Sequence, residues 1–167
     1  MDLHPIIVHF PVALFTLYGL FELLRFKKLT SLNEWAVTKA VLVCFGVLSS
    51  FVALATGDLA GESFENGRLG LLAETHSSLA VITVVFYAIV LAITLGGLIR
   101  RYHLTIPNLL QPLITLLDKL YRQSWLMVIL ALIGLALITV TGALGGALAF
   151  GPGVDPLATF FFNALVR

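Results

Sequence analysis

An all-α fold, a four-helix transmembrane bundle, is predicted by three observations. Of the 167 residues, 59% are hydrophobic and only 11% are charged, with a mean hydropathy of +1.03; a soluble domain carries roughly 25% charged residues. Four apolar runs are each long enough to cross a bilayer, which takes about 20 residues of helix. None of them alternates with the period of two expected of a barrel strand. Lipid leaves no water to satisfy the backbone, so runs of this kind must be helices.

The predicted spans are residues 6–26, 35–56, 79–98 and 125–150. Trp35 and Trp125 open the second and fourth, where interfacial aromatics belong, and Gly57, Gly96-Gly97 and Gly151-Pro152-Gly153 close or follow runs. The N-terminal residues lack the basic n-region and small-residue cleavage site of a signal peptide, so the first run is expected to be retained. Residues 105–122 place Asn108, Gln111, Thr115, Asp118, Lys119 and Arg122 on one helical face and Ile106, Leu109, Leu110, Leu113, Leu117 and Leu120 on the other. That pattern predicts a cytoplasmic interfacial helix, or equally a short helix docked on the bundle. Residues 157–166 are too short to span and predict a C-terminal interfacial segment, lying in the interface or folded back over the bundle. No internal repeat is visible, and the chain is expected to be a single integral membrane domain over residues 1–167.

Orientation follows from charge. Eight of the ten Lys and Arg residues flank the first and third connections: Arg25, Lys27, Lys28, Lys39, Arg100, Arg101, Lys119 and Arg122. The positive-inside rule then places both connections in the cytoplasm and both termini outside the cell inner membrane. The net charge of +1 gives no electrostatic case for nucleic acid as a partner. Cys44, the one cysteine, can form no intrachain disulfide. No nucleophile–base pair, phosphate loop or cysteine metal motif is present, so an enzyme is not the expected class.

The residues that invite chemistry are histidines. His4-Pro5-Ile6-Ile7-Val8-His9-Phe10-Pro11 places two imidazoles and two prolines at the outer mouth of the first span. Pro5 biases His4 toward an extended conformation. Pro11 lacks an amide proton, so the helix is expected to begin near Phe10 or to kink there. His76 is expected at the outer end of the third span, with Asp58 and Gly145-Gly146 at the same level. Below His76, Thr83, Tyr87 and Thr94 recur on one helical face, where polar residues turn toward a bundle interior. Gly142 and Gly146 form a small-xxx-small pattern that admits a close helix or a flat cofactor. His103 stands apart, beside Arg100 and Arg101 on the cytoplasmic side, and reads as a solvated side chain.

Several occupants are compatible with the outer cluster. His9 and His76 suffice as axial ligands of a haem b held between facing helices. His4, His9, His76 and Asp58 or Glu62 offer the mixed imidazole and carboxylate donors of a transition-metal site. The same imidazoles suit a proton relay or pH-responsive gate. The alternative class is a structural or interaction subunit whose histidines only anchor helix ends. A transporter or channel is third, because no ionisable residue is expected near the middle of the membrane.

His4-Pro5, Val8-His9-Phe10-Pro11, Ala13-Leu14, Gly57, Gly61-Glu62, His76 and Gly145-Gly146 with Leu148 together resemble the bacterial membrane proteins grouped as domain of unknown function 2231. The resemblance runs through all four spans and implies a four-helix membrane domain without implying a reaction. It also implies cytochrome-like or Rieske-type proteins as redox partners, an argument from association and not from fold. Relatives often carry a histidine shortly after the Gly-Gly pair. Here that region is Ala147-Leu148-Ala149-Phe150-Gly151-Pro152-Gly153 and holds no ligand, which removes a four-histidine site and leaves a two-histidine haem available. The expected function is therefore a haem- or metal-binding, electron-transfer-linked component of the lipid bilayer.

Overall fold

The computed structural model describes residues 4–61 and 67–165. Four helices in it are long and apolar enough to cross a membrane. They are α1 (His4–Leu23), α3 (Asn33–Gly61), α4 (Gly67–Arg101) and α6 (Ser124–Phe150). Three short helices accompany them: α2 (Lys27–Thr30), α5 (Gln111–Tyr121) and α7 (Pro156–Leu165). Consecutive spans run antiparallel. Helix α1 packs on α3 and α6, and α4 packs on the same two, so α1 and α4 face each other across the bundle axis.

The outward faces are apolar. Phe45, Leu48, Phe51, Val81, Val85, Ile89 and Leu132 are all exposed, an arrangement that only a lipid solvent makes favourable. Lipid supplies no hydrophobic force between helices, so association rests on close packing and polar contacts. Glycines provide the closeness. A β-carbon at Gly46 would lie 2.5 Å from the Phe15 ring, one at Gly19 would lie 2.7 Å from Leu135, and one at Gly134 would lie 2.6 Å from the Tyr87 hydroxyl. At mid-bundle Phe15 and Tyr87 stack with centroids 3.7 Å apart and planes 5° apart, and Tyr18 meets Tyr87 edge-on. The expected polar stripe is buried: Thr83, Tyr87 and Thr94 are each under 3% exposed. Both threonines also bond their own helix, Thr83 to the Leu79 carbonyl and Thr94 to that of Val90.

Several expectations about element ends are corrected. Helix α1 begins at His4, not near Phe10, with Pro5 in its first turn, where a missing amide proton removes no helical bond. Pro11 lies buried inside the helix. Helix α4 begins at Gly67, twelve residues before the predicted span, so His76 is inside a helix instead of at its mouth. Gly96-Gly97 is helix-internal, not terminal, and Gly145-Gly146 lies inside α6 as the predicted span has it.

Helix α5 docks on the bundle. A β-carbon at Gly96 would meet Leu117 at 2.4 Å, and one at Gly97 would meet the Tyr121 ring at 2.1 Å, so the glycine pair is the notch that receives α5. Leu113 and Leu116 remain exposed on its far side, and Leu109 in the 3-10 turn before it is exposed as well. Helix α7 folds back, with Ala158 and Phe162 buried against Leu72, Leu144 and Ala147, and Asp155 caps it by accepting the Ala158 amide at 2.9 Å.

His103 ends α4 in the left-handed region, φ 51°. The Leu104 amide reaches back to the Ile99 carbonyl at 3.0 Å, the long bond of a Schellman cap. Glycine adopts this conformation without a β-carbon clash. His103→Gly is therefore expected to raise stability by about 0.5–1 kcal/mol, read as a higher midpoint in denaturant titration of the detergent-solubilised protein.

Candidate histidine site

Two histidines sit at equivalent places in two helical hairpins. On α1, His4 directs Nδ1 at the Thr56 hydroxyl of α3, 3.0 Å away. That hydroxyl spends its own proton on the Val52 and Ala53 carbonyls, 3.1 and 3.0 Å away, so it accepts and His4 carries its proton on Nδ1. On α4, His76 donates from Nδ1 to the Thr141 carbonyl of α6 at 3.0 Å; a carbonyl can only accept. In both rings the tautomer is set by an oxygen on the neighbouring helix, and Nε2 is left with a lone pair. The two rings lie close enough to interact electrostatically. Below them the Thr141 hydroxyl meets that of Thr83 at 3.1 Å.

Each ring fills a glycine notch. A β-carbon at Gly57 would lie 3.0 Å from His4 Cε1, and one at Gly145 would lie 3.0 Å from His76 Cε1. The correspondence extends down the helices. Phe15 follows His4 by eleven residues and Tyr87 follows His76 by eleven; Gly46 precedes Gly57 by eleven and Gly134 precedes Gly145 by eleven. Eleven residues is close to three full turns, so each pair shares one helix face. Phe15 packs into Gly46 as Tyr87 packs into Gly134, and the two aromatics stack on each other. The chain thus contains an internal structural repeat, α1–α3 and α4–α6, contrary to the sequence expectation. Side-chain identity hides it, because only the histidines, the glycines and the aromatic character recur.

The pair the fold brings together is His4 with His76. His9, expected as the partner of His76, is five residues and so about 140° around α1 from His4. Its side chain is exposed, and Nδ1 bonds the Pro5 carbonyl of its own helix. Asp58 is exposed on α3. Gly146 faces open space, with nothing within 4 Å of a β-carbon built there, whereas Gly145 seats His76. Among the described residues no three His, Cys, Asp or Glu side chains gather as a metal shell; Glu62 lies outside them. His4, His9, His76 and Asp58 are therefore not assembled into one site.

Sequence reasoning missed a second polar constellation, at the basic end. Glu22 is 2% exposed and Lys39 is 6% exposed. The Lys39 ammonium and the Arg25 guanidinium both bond the Glu22 carboxylate, the latter at 2.6 Å, and Arg25 also reaches the Ser124 carbonyl at 3.0 Å. Tyr121, at the end of α5 beside this cluster, has its hydroxyl pKa raised, first by burial and then by the Glu22 charge. The one signal in the sequence was Glu22, an acid inside an apolar run three residues before Arg25.

Neither curated proteins nor solved structures contain a match to the chain. The family described as "Predicted membrane protein (DUF2231)" matches residues 1–156, all four spans and the loops between them. With four helices of membrane-spanning length over the matched region, the chain is a multi-pass membrane protein and belongs to the DUF2231 family.

Proposed function

We propose that His4 and His76 form a two-imidazole ligand site, and that the protein is a haem-binding, electron-transfer-linked membrane component. The observation that supports this is that two imidazoles, at equivalent positions of the repeated hairpins, are each oriented at Nδ1 by an oxygen of the neighbouring helix, which leaves Nε2 of each ring as the free ligating atom. An orienting bond at the far nitrogen is the usual companion of imidazole ligation. His4 and His76 would be the two residues to hold a haem iron, for which imidazole is a standard ligand, whereas a closed small-metal shell requires three or four donors. The donor set accordingly fits haem b better than zinc or copper. Haem supplies one-electron transfer when bound. The chain's own residues hold the imidazoles: Thr56 and Thr141 fix their tautomers, and Gly57 and Gly145 let them approach the helices.

Charge asymmetry supports a location in the bacterial inner membrane with the basic end in the cytoplasm and the histidine end outside. On that side a cytochrome- or Rieske-type protein is the fitting redox partner. The Phe15–Tyr87 stack closes the bundle at its middle, which counts against a channel.

The test is spectroscopic. Protein purified in detergent from haem-replete cells is expected to show a Soret band that shifts on dithionite reduction. His4→Ala and His76→Ala should each abolish it, while His9→Ala and His103→Ala should leave it intact. Loss with His9→Ala but not His4→Ala would overturn the assigned pair. Absence of any band in the wild type leaves the second reading, a structural or interaction subunit. The glycine notches favour that one, since they make each imidazole a packing element in its own right.

A further inference from the structure

The basic end holds a cavity of about 390 Å³, lined by Glu22, Arg25, Lys39, Arg101, Asp118 and Arg122 together with Trp35, Tyr121 and Ser124. Its lining carries four cations against two carboxylates. Glu22 is already shared between Arg25 and Lys39, and Asp118 is paired with Arg122 at 2.8 Å. Among the described residues Arg101 bonds only a neutral group, the Asn33 amide oxygen, at 2.9 and 2.6 Å. Positive charge in partly desolvated surroundings is costly without a counter-charge, so the cavity calls for an anion.

Two further observations point to a ligand there. The Trp35 indole N–H is buried and has no acceptor among the described residues, an unmet donor of the kind native structures rarely leave. Helix α6 also begins at Ser124, on the cavity wall, with no side chain capping its first amides; such an end attracts negative charge. The repeat isolates the feature. At the positions of α4 and α6 that correspond to Glu22 and Lys39 stand Thr94 and Met127, so the charges belong to one hairpin and are not part of the shared packing pattern.

The cavity continues into a second groove of about 570 Å³ through the shared residues Arg25, Thr30 and Ser124. Beyond them that groove is lined by Trp125, Val128 and Ile129. Trp125 and Ile129 are exposed on the lipid-facing surface of α6. A polar, cationic chamber opening onto an apolar groove at a helix end matches a phosphate joined to an acyl chain. Basic pockets between spanning helices at the membrane surface hold lipid headgroups in this way.

We propose that this site binds an anionic phospholipid, its phosphate among Arg25, Lys39, Arg101 and Arg122 and one acyl chain along Trp125, Val128 and Ile129. The net positive lining selects against a zwitterionic headgroup, whose own ammonium cancels the phosphate charge. Guanidinium forks supply the charge-assisted bonds. The site lies at the opposite end of the bundle from the histidines, so occupancy is independent of what they hold.

Native mass spectrometry of the detergent-solubilised full chain, titrated with phosphatidylglycerol or phosphatidylcholine of the same acyl composition, provides the test. The wild type is expected to bind phosphatidylglycerol about tenfold more tightly. Arg101→Gln with Arg122→Gln should reduce that preference to about twofold or less. The Arg122→Gln variant alone, changing a side chain that is 69% exposed, keeps the test decisive should the double variant fail to fold; a loss of about threefold is expected. Equal binding of both lipids, or a preference unchanged in every variant that folds, would overturn the proposal. Inorganic phosphate at millimolar concentration is the third arm. If it binds by itself with the same arginine dependence and displaces phosphatidylglycerol, the site takes a free anion and the lipid assignment fails.

Discussion

Replacing Lys39 with methionine is expected to destabilise the bundle by about 3 kcal/mol, the cost of taking from a buried carboxylate the enclosed one of its two cations. Glu22 is almost fully enclosed, and of its two cations only Lys39 is equally enclosed; Arg25 keeps about a third of its side chain in contact with solvent. The double variant Glu22→Gln with Lys39→Met should recover most of that loss, because it removes both desolvated charges together. Unfolding free energies of the four proteins of this cycle, measured in one neutral detergent, give the coupling directly. A Lys39→Met cost below about 1 kcal/mol would mean that the pair behaves like an exposed surface ion pair.

The second large effect concerns the middle of the bundle. Tyr87→Ala removes a ring that stacks on Phe15, meets Tyr18 and Phe86 edge-on and fills the notch at Gly134. Truncating a buried aromatic costs about 3–5 kcal/mol. The contrast with Tyr87→Phe makes the prediction specific. The Tyr87 hydroxyl is buried without a hydrogen-bond partner among the described residues, so deleting the oxygen alone should be neutral or stabilising by up to about 1 kcal/mol. Equal losses from both substitutions in the same unfolding assay would refute this account of the stack.

Hydropathy made the four spans legible, because lipid forces backbone satisfaction and length onto any crossing segment. The buried faces of Thr83, Tyr87 and Thr94 were legible for a related reason: a polar group in a span turns inward. Ends and azimuths were not. Helix α4 extends to Gly67 because residues 67–78 contain no proline to stop it, and hydropathy is blind to helix that continues outside the bilayer. The choice between His4 and His9 depended on where α1 starts and which side it offers α3, neither of which local pattern determines. Lys39 was read as a flanking positive charge, and its approach to Glu22 across seventeen positions is a tertiary fact. The internal repeat escaped because its carriers are spacings of eleven residues between dissimilar neighbours, visible once the notches at Gly57 and Gly145 are seen to hold the same ring.

The length of α4 has a consequence for access. Its 35 residues extend about 52 Å at the usual rise per residue, against a hydrocarbon thickness of about 30 Å. Measured along that helix from Arg100, the membrane's apolar slab is used up near Ala80, and His76 stands about one turn beyond it, at headgroup depth. The end of the bundle that carries His76 thus stands at the boundary between lipid and water, and α7, which folds over Leu72 and Leu144, covers the adjoining turns of α4 and α6.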